Sequence, residues 1–160
     1  PWRSAISCSE VAVMRLAQHS ETHIHTGDAA DTVTLDYEAR FLRRKRLVSD
    51  AGEPFLVELA ETRSLSQGEG FRLDDGRIIA VMAAAEPLLA VRHSNLARIA
   101  WHVGNRHTPC QIADDHILIR EDKVLQAMLE GLGASVTKVS APFTPEGGAY
   151  GHGRTHGHEH

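Results

Sequence analysis

The C-terminal end of the chain contains the residues whose type and spacing most clearly predict chemistry. Four of the 11 histidines lie within residues 151–160, interrupted by glycine, arginine, threonine and glutamate: His152, His156, His158 and His160. Imidazole is a borderline-soft nitrogen donor that binds nickel, zinc, copper or cobalt better than calcium or magnesium. The segment has no apolar side chains to pack, so we expect a mobile tail that binds metal ions. A purification tag would usually carry consecutive histidines, and the interrupted spacing favours a native origin.

The composition argues against several classes of protein. The formal net charge of −4 disfavours general nucleic-acid binding, which normally needs a basic excess. Only two cysteines occur, and they form no CxxC motif, which is typical of a reduced cytosolic protein. No apolar run approaches the roughly 20 residues needed to cross a bilayer, and the first residues show no signal-peptide pattern. We therefore expect a cytoplasmic protein that binds neither nucleic acid nor membranes.

The first half of the chain is predicted to be rich in β-strands. Alternating or short apolar runs occur at residues 32–37, 54–59, 71–73 and 77–81. Turn-forming residues separate them at positions 49–52 and 74–76. Residues 18–31 are polar and are predicted to be irregular. This pattern predicts a small β-barrel or sandwich domain over residues 1–87.

From residue 88 onward the pattern changes to strands that alternate with helices. Strands are predicted at residues 88–91, 110–112, 116–119 and 134–143. A first helix is expected to begin at a Ser94 cap and to end at Gly104. Its apolar positions follow helical spacing: Leu96, Ile99, Ala100 and Val103.

A second helix is predicted between the last two strands. Glu121 and Asp122 are expected to open it on the side that the helix dipole favours, and Gly131 and Gly133 to close it. Its predicted buried stripe comprises Val124, Leu125, Met128, Leu129 and Leu132. The order βαββαβ predicts a ferredoxin-like domain over residues 88–147. The whole chain is therefore predicted to be an α+β protein, with the flexible His-rich tail at residues 148–160.

The end of the first predicted helix provides two further candidate metal ligands, His102 and His107. Gly104 and Asn105 both tolerate a positive φ, so the chain can turn sharply there and hold His107 outward. Polar residues flank His107, which favours a ligand over a core histidine. His102 is either a ligand or a histidine that the dipole favours at a helix C-terminus, and the sequence leaves both readings open.

One protruding histidine cannot form a tight metal site, because such ions need four to six ligands. A twofold dimer would bring the same residue from each subunit to the axis. We therefore predict that two His107 side chains share one ion, and that tail histidines complete its coordination. The sequence leaves open whether those tail histidines come from one subunit or from both.

Several other groups of residues are less informative. His19, His23 and His25 lie in a polar segment, which more often indicates a solvated loop than a metal site. Cys110 stands next to predicted strand residues, and a small buried hydrophobic role is favoured over thiolate ligation.

The segment 40–46 contains five cations: Arg40, Arg43, Arg44, Lys45 and Arg46. It is either a solvated strand edge, whose charges deter edge-to-edge pairing, or a docking surface for an acidic protein. Nucleic acid is the weakest of the options because the whole chain is acidic.

Several ordered motifs resemble the urease accessory protein E family. They are HVGNRHTP at 102–109, ILIR at 117–120, VLQAML at 124–129, and Pro142-Phe143 followed by PEGGAYG at 145–151 and a His-rich end. Upstream, DYEARFLRRKRL at 36–47 is similar to the N-terminal domain of that family. The likeness covers residues 32–160, and GNRH and PEGGAY are its most specific parts.

The resemblance implies a nickel metallochaperone that delivers Ni²⁺ for assembly of the urease active site. It implies a homodimer with a β-domain like a chaperone peptide-binding module, a ferredoxin-like metal-binding domain, and His107 as the shared interface ligand. It also implies two partners, the urease apoprotein complex and the urease accessory GTPase. Zn²⁺, Cu²⁺ or Co²⁺ is expected to substitute for nickel in vitro.

Some relatives carry more histidines at the strand–helix junction that corresponds to residues 117–123. This chain has Arg120 and Lys123 there and no imidazole, while His116 lies at the other end of the strand. A secondary metal site at that junction is therefore not expected.

Two alternatives to nickel delivery follow from the residues. A cytosolic nickel, zinc or copper storage protein would use the same donors without a delivery partner. A zinc-dependent hydrolase is less favoured, because no His-Glu-x-x-His motif or other fixed constellation occurs and a flexible tail cannot preorganise an open site. We therefore predict that the chain is not an enzyme.

Overall fold

The structure is a computed structural model that describes residues 14–147, without the side chain of Thr26. The predicted tail at residues 148–160, with its four histidines, lies outside the described residues. The strands are β1 (Arg15–Glu21), β2 (Asp31–Leu35), β3 (Phe41–Val48), β4 (Pro54–Ser64), β5 (Gly70–Leu73), β6 (Ile78–Ala83), β7 (Ala85–Arg92), β8 (Gln111–Ile112), β9 (Ile117–Arg120) and β10 (Ser135–Pro142). The helices are α1 (Leu96–Asn105) and α2 (Lys123–Gly131), and a short 3₁₀ turn occupies Thr26–Asp28. The described chain is therefore mostly β with two α-helices.

The first six strands form one mixed sheet in the order β2-β6-β5-β1-β4-β3. Strands β1 and β4 are parallel, as are β2 and β6, and the other neighbours are antiparallel. Because β2 and β3 end the sheet and do not pair with each other, the described strands form neither a closed barrel nor a two-sheet sandwich. One face of this sheet buries a cluster that includes Phe55, Phe71 and Ile79.

The prediction that residues 18–31 are irregular was wrong for the part that lies in β1. Residues 15–17 of this strand pair with β4, and its polar residues from His19 to Glu21 pair with β5. Ala17 is completely buried and anchors the strand in the core. Pairing with distant strands therefore overrides the local polar pattern.

The two predicted turns are present and use glycine where the backbone needs a positive φ. Gly52 has a φ of 95° and donates its N–H to Ser49 O at 2.9 Å between β3 and β4. Gly76 has a φ of 86° and donates to Leu73 O at 2.9 Å between β5 and β6. Both turns return the chain antiparallel to the strand before them.

The last four strands form an antiparallel sheet in the order β10-β7-β9-β8. Helix α1 connects β7 to β8, and α2 connects β9 to β10. Leu89 and Val91 face the helices, whereas Leu88 and Ala90 face the opposite side, where Tyr37 from the first half packs. Strand β7 is therefore buried on both faces, and both helices lie on one side of the sheet.

The helix boundaries differ slightly from the predicted ones. Asn95, not Ser94, caps α1, because its Oδ1 accepts the N–H of Arg98 at 3.0 Å. Glu121 and Asp122 were expected to open α2 and lie just before it; Asp122 is its N-cap, and its Oδ1 accepts the N–H of Leu125 at 2.8 Å. The predicted burial of Val124 was wrong: it is 68% exposed, because the helix turns Leu125 and Leu129 toward the sheet instead.

Arg40 joins the two halves of the chain. It is only 2% exposed, its Nη2 donates to Phe143 O, and its Nε donates to Asp36 O at 3.3 Å. The ring of Tyr37 meets the ring of Phe143 edge to face at 5.3 Å. Arg40 is therefore a buried structural residue and not part of an exposed basic surface.

No helix within residues 14–147 combines the length and the apolar character needed to span a membrane.

Candidate metal centre

The C-terminal end of α1 determines the position of His107. The N–H of His107 donates to Gly104 O at 2.9 Å, and the N–H of Thr108 donates to Val103 O at 3.4 Å. These two bonds form the Schellman pattern that closes many helices, in which the residue after the C-cap adopts a left-handed conformation. His107 occupies that position with a φ of 55°, where glycine is the usual residue.

The prediction placed the sharp turn at Gly104 and Asn105, and this was wrong. Both residues are helical, because α1 continues to Asn105, and the positive φ lies at His107 itself. A left-handed conformation costs a residue with a Cβ roughly 1–2 kcal/mol compared with glycine. Among the described residues other than glycine, only His23, with a φ of 59°, shares this conformation.

The imidazole of His107 is available for a ligand. His107 is exposed, and no hydrogen bond or ion pair to its side chain occurs within residues 14–147. A rigid backbone that presents an unpaired donor is the geometry that metal binding requires, because the ligand atom is positioned in advance.

His102 lies in the last turn of α1 and is half-buried. Its ring meets the ring of Trp101 edge to face, with centroids 5.0 Å apart. This contact is compatible with either reading of His102, so its role as a ligand stays a prediction. Trp101 itself is 64% exposed, the second largest exposed fraction among the large apolar side chains of the described residues.

Cys110 is half-buried among apolar side chains. It packs against the cluster between the helices and the second sheet. Burial raises the pKa of its thiol, and the nearby Glu146 carboxylate raises it further. The thiolate that binds metal is therefore disfavoured near neutral pH.

The remaining histidines within residues 14–147 are not gathered into a site. His116 Nδ1 lies 2.6 Å from Asp115 Oδ1, and this hydrogen bond is the main reason that the pKa of Asp115 is lowered. Residues 14–147 of one chain contain no group of three histidine, cysteine or carboxylate side chains placed to hold a metal ion. The histidines at positions 19, 23 and 25 are included in that statement. A complete site therefore needs donors from outside the described part of one chain.

The segment that leads into the tail lies beside the strand that follows His107. The N–H of Glu146 donates to Cys110 O, and the N–H of Thr144 donates to Gln111 Oε1, both at 2.8 Å. Cys110 follows His107 by three residues. Residues 144–146 are therefore held against the residues that follow the His107 turn.

No local pattern in the sequence identifies the residues that create this arrangement. Nothing in the local sequence indicates that the Gln111 amide binds Thr144, because the two residues are 33 positions apart.

In the sequence, Arg40 belongs to a run that predicts surface cations, whereas the structure buries it. Its isolation from the other four by two apolar residues, Phe41 and Leu42, was the one available signal.

Comparison with known families identifies the chain. The model described as the UreE urease accessory protein, N-terminal domain, matches residues 13–84, and the C-terminal domain model matches residues 86–160. The chain belongs to the UreE urease accessory protein family. The resemblance inferred from the sequence motifs is thereby confirmed. Both UreE models describe an accessory protein, which agrees with the prediction that the chain is not an enzyme.

Curated relatives are similar over most of their length. The urease accessory protein UreE of Ruegeria pomeroyi is 57% identical over 136 residues, which cover 85% of this chain and 91% of the relative. The UreE of Rhodobacter capsulatus is 61% identical, covering 82% of this chain and 84% of the relative. The UreE of Cereibacter sphaeroides is 58% identical, covering 84% and 74% respectively.

Proposed function

We propose that this chain captures Ni²⁺ and delivers it for assembly of the urease active site, as a cytoplasmic homodimer. The observation that carries the proposal is the left-handed His107, which presents an exposed imidazole from the closed end of α1. A side chain that occupies a glycine position at a conformational cost is a reason to propose a functional constraint there, and His107, unlike His23, follows the helix that carries the exposed Trp101. Membership of the UreE family supports nickel as the ion.

The shared site is built from two His107 imidazoles across a twofold axis. The exposed face of α1 supports this arrangement, because Ala97, Trp101 and Gly104 follow one another at helical spacing toward His107. Burying Trp101 in a dimer would remove a large apolar surface from water. The same contact would bring the two copies of His107 toward the axis.

The tail supplies the remaining ligands in this proposal. His152 follows Glu146 by six residues, which span at most about 20 Å of extended chain. Because Glu146 is bound to Cys110, the first tail imidazole can reach the His107 turn. His156, His158 and His160 can then replace it as ligands, and His102 is the nearest further donor on α1. Because these ligands can exchange with one another, the metal ion can be transferred to a partner protein.

The fold supports different functions for the two domains. We assign residues 1–87 to a β-domain for partner binding, residues 88–147 to a ferredoxin-like metal-binding domain, and residues 148–160 to the tail. The order β7-α1-β8-β9-α2-β10 with its antiparallel sheet supports the ferredoxin-like assignment. The partners in this proposal are the urease apoprotein complex and the urease accessory GTPase.

Nickel titration of the full chain tests the site, and activation of urease apoprotein tests delivery. We expect one tightly bound Ni²⁺ per dimer, lost when His107 is replaced, and faster urease activation by the loaded wild-type chain than by free Ni²⁺ at equal concentration. Unchanged stoichiometry in the His107 variant would contradict the shared site. Tight binding without faster activation would favour storage over delivery. Zn²⁺, Cu²⁺ and Co²⁺ are expected to compete for the same site.

A further inference from the structure

Strand β3 ends the first sheet, and one of its edges has no strand beside it among the described residues. In an antiparallel pair, residues alternate between positions whose backbone groups bond to the partner strand and positions whose groups point away from it. The N–H of Ser49 donates to Glu53 O at 2.9 Å, which makes this the bonded position next to the β3–β4 turn. Pro54, which has no N–H, lies opposite Val48. Both observations place Val48 at a position whose backbone groups point away from β4.

The same alternation applies along the rest of β3. Its register with β4 is regular from Val48 back to Arg44, which lies opposite Glu58. The backbone N–H and C=O groups of Arg44 and Arg46 therefore also point to the open edge. This edge can receive a further strand without disturbing any bond between β3 and β4.

The open edge is strongly basic. Four consecutive residues, Arg43, Arg44, Lys45 and Arg46, are exposed. Arg44 forms an ion pair with Glu58, whereas no ion pair of Lys45 or Arg46 occurs within residues 14–147. The edge therefore carries positive charge that the described part of the chain does not neutralise.

Two buried leucines hold this basic segment in place. Leu42 and Leu47 flank the four cations, and both belong to the core of the first sheet. They are five residues apart, so regular alternation would place them on opposite faces. A register shift between Leu42 and Arg44 allows both to be buried. The cations are therefore presented by a strand that is anchored at both ends.

A basic edge discriminates between possible partner strands. Like charges opposite each other destabilise a strand pair, so two copies of β3 disfavour pairing with each other. Opposite charges on neighbouring strands stabilise a pair by about 0.2–1 kcal/mol each. The edge therefore rejects its own copy and favours an acidic strand.

We propose that the open edge of β3 binds an extended acidic segment of a partner protein, which adds to the sheet as a further strand. Acidic residues at alternate positions would lie opposite Arg44 and Arg46, and an apolar residue two positions further would lie opposite Val48, which is 55% exposed. This interaction goes beyond nickel capture and does not require the metal site.

Fluorescence anisotropy of a labelled peptide with the nickel-free full chain tests the proposal. The probe is a ten-residue peptide with valine near one end followed by alternating threonine and glutamate. We expect Arg46→Gln to weaken binding about 2- to 5-fold, because one cross-strand charge pair is lost. Glu58→Gln should strengthen binding, because Arg44 is then free to pair with the peptide. Lys123→Gln, which removes one exposed cation from α2, is the matched control and should not change binding.

Two variants at one position separate strand addition from simple charge attraction. Val48→Pro removes only an N–H that points away from β4, and Val48→Ala keeps that N–H while shortening the side chain. We expect Val48→Pro to bind the peptide at least 5-fold more weakly than Val48→Ala. Circular dichroism confirms that both are folded. A peptide with the same charges but N-methylated at alternate amides should bind the wild-type chain about as weakly as the unmodified peptide binds Val48→Pro.

Several results would overturn the proposal. Equal binding by Arg46→Gln and Lys123→Gln would remove the role of the basic edge. Equal affinity of the two Val48 variants for the peptide would show that no strand is added. Equal affinity of the wild-type chain for the N-methylated and the unmodified peptide would show the same. Displacement of the peptide by a ten-nucleotide thymidine strand at equal concentration would identify a general polyanion surface instead. Nickel titration of Arg46→Gln should match wild type, so failure of the docking site and failure of the metal site are distinguishable.

Discussion

The backbone N–H of Glu146 donates a 2.8 Å hydrogen bond to the carbonyl oxygen of Cys110. This bond joins the last described residues to the strand that begins just after the His107 turn. Because Phe143 is completely buried a few residues earlier, the chain cannot leave this place without disrupting the core. The last described residues before the His-rich tail are therefore held beside the strand that follows the His107 turn.

Replacing His107 with glycine or alanine should separate two effects: the loss of the imidazole, which affects nickel binding, and the backbone conformation, which affects stability. Glycine adopts the left-handed conformation without a Cβ penalty, so His107→Gly should be more stable than His107→Ala by about 1 kcal/mol. Both variants should lose the tight nickel site in calorimetric titration. The measurement of stability is urea unfolding of the metal-free protein.

His23 provides a matched control, because it has nearly the same backbone conformation. His23→Gly and His23→Ala should differ in stability in the same direction while nickel binding stays as in wild type. If the His23 variants lost nickel binding and the His107 variants kept it, the nickel site would include His23 instead of His107.

Deleting residues 152–160 should weaken nickel binding without abolishing it. The deletion removes four imidazoles but leaves His107 and the α1 surface. We expect a lower number of bound ions and a weaker affinity in equilibrium dialysis, with the dimer retained in sedimentation analysis. Complete loss of nickel binding would make the tail the principal site instead.

Replacing Arg40 should destabilise the whole chain more than replacing any cation of the β3 edge. Arg40→Ala removes the buried donor to Phe143 O and the side-chain donor to Asp36 O, which keeps the bond from the backbone N–H of residue 40, and it also opens a cavity. We expect a loss of about 3 kcal/mol or more in urea unfolding, since a large buried side chain and its hydrogen bonds to backbone carbonyl groups are removed. Arg46→Ala, at an exposed position, should change stability by no more than about 0.5 kcal/mol. A similar small change for Arg40→Ala would contradict the structural role.

Asp50 should make stability depend on pH in the acidic range. Its carboxylate accepts hydrogen bonds from Thr32 Oγ1 at 2.5 Å and Thr34 Oγ1 at 2.8 Å. The Thr32 bond is the largest cause of its lowered pKa, and the two bonds from Thr34 add to it. Because the folded pKa lies below the ordinary value of 3.8, the contribution is present above that pH and is lost as pH falls through the folded pKa.

The comparison of wild type with Asp50→Asn checks this dependence. Thermal unfolding between pH 6 and pH 2 should show a steeper loss of stability for wild type, and the two curves should converge at the acidic end. Parallel curves over the whole range would show that the threonine hydroxyls do not stabilise the charged form.

The sequence alone determined the chemistry and most of the local structure. Histidine type and spacing predicted a metal-binding tail, and the ordered motifs around His107 predicted the family that the comparisons confirm. Glycine positions predicted the turns at Gly52 and Gly76, since a positive φ is a local property of the backbone. Apolar spacing predicted both helices, because their period depends only on neighbouring residues.

Tertiary structure decided what depends on distant contacts. The polar half of β1 became a strand because the distant strand β5 pairs with it. Arg40 is accommodated in the interior because Phe143, 103 residues away, accepts its hydrogen bond. The residue that adopts the positive φ, His107, depended on where α1 ends and on which N–H groups bond to its last carbonyl groups. Sequence thus specified which donors the protein carries, and only folding determined which of them are held in place, because long-range hydrogen bonds and burial have no local pattern.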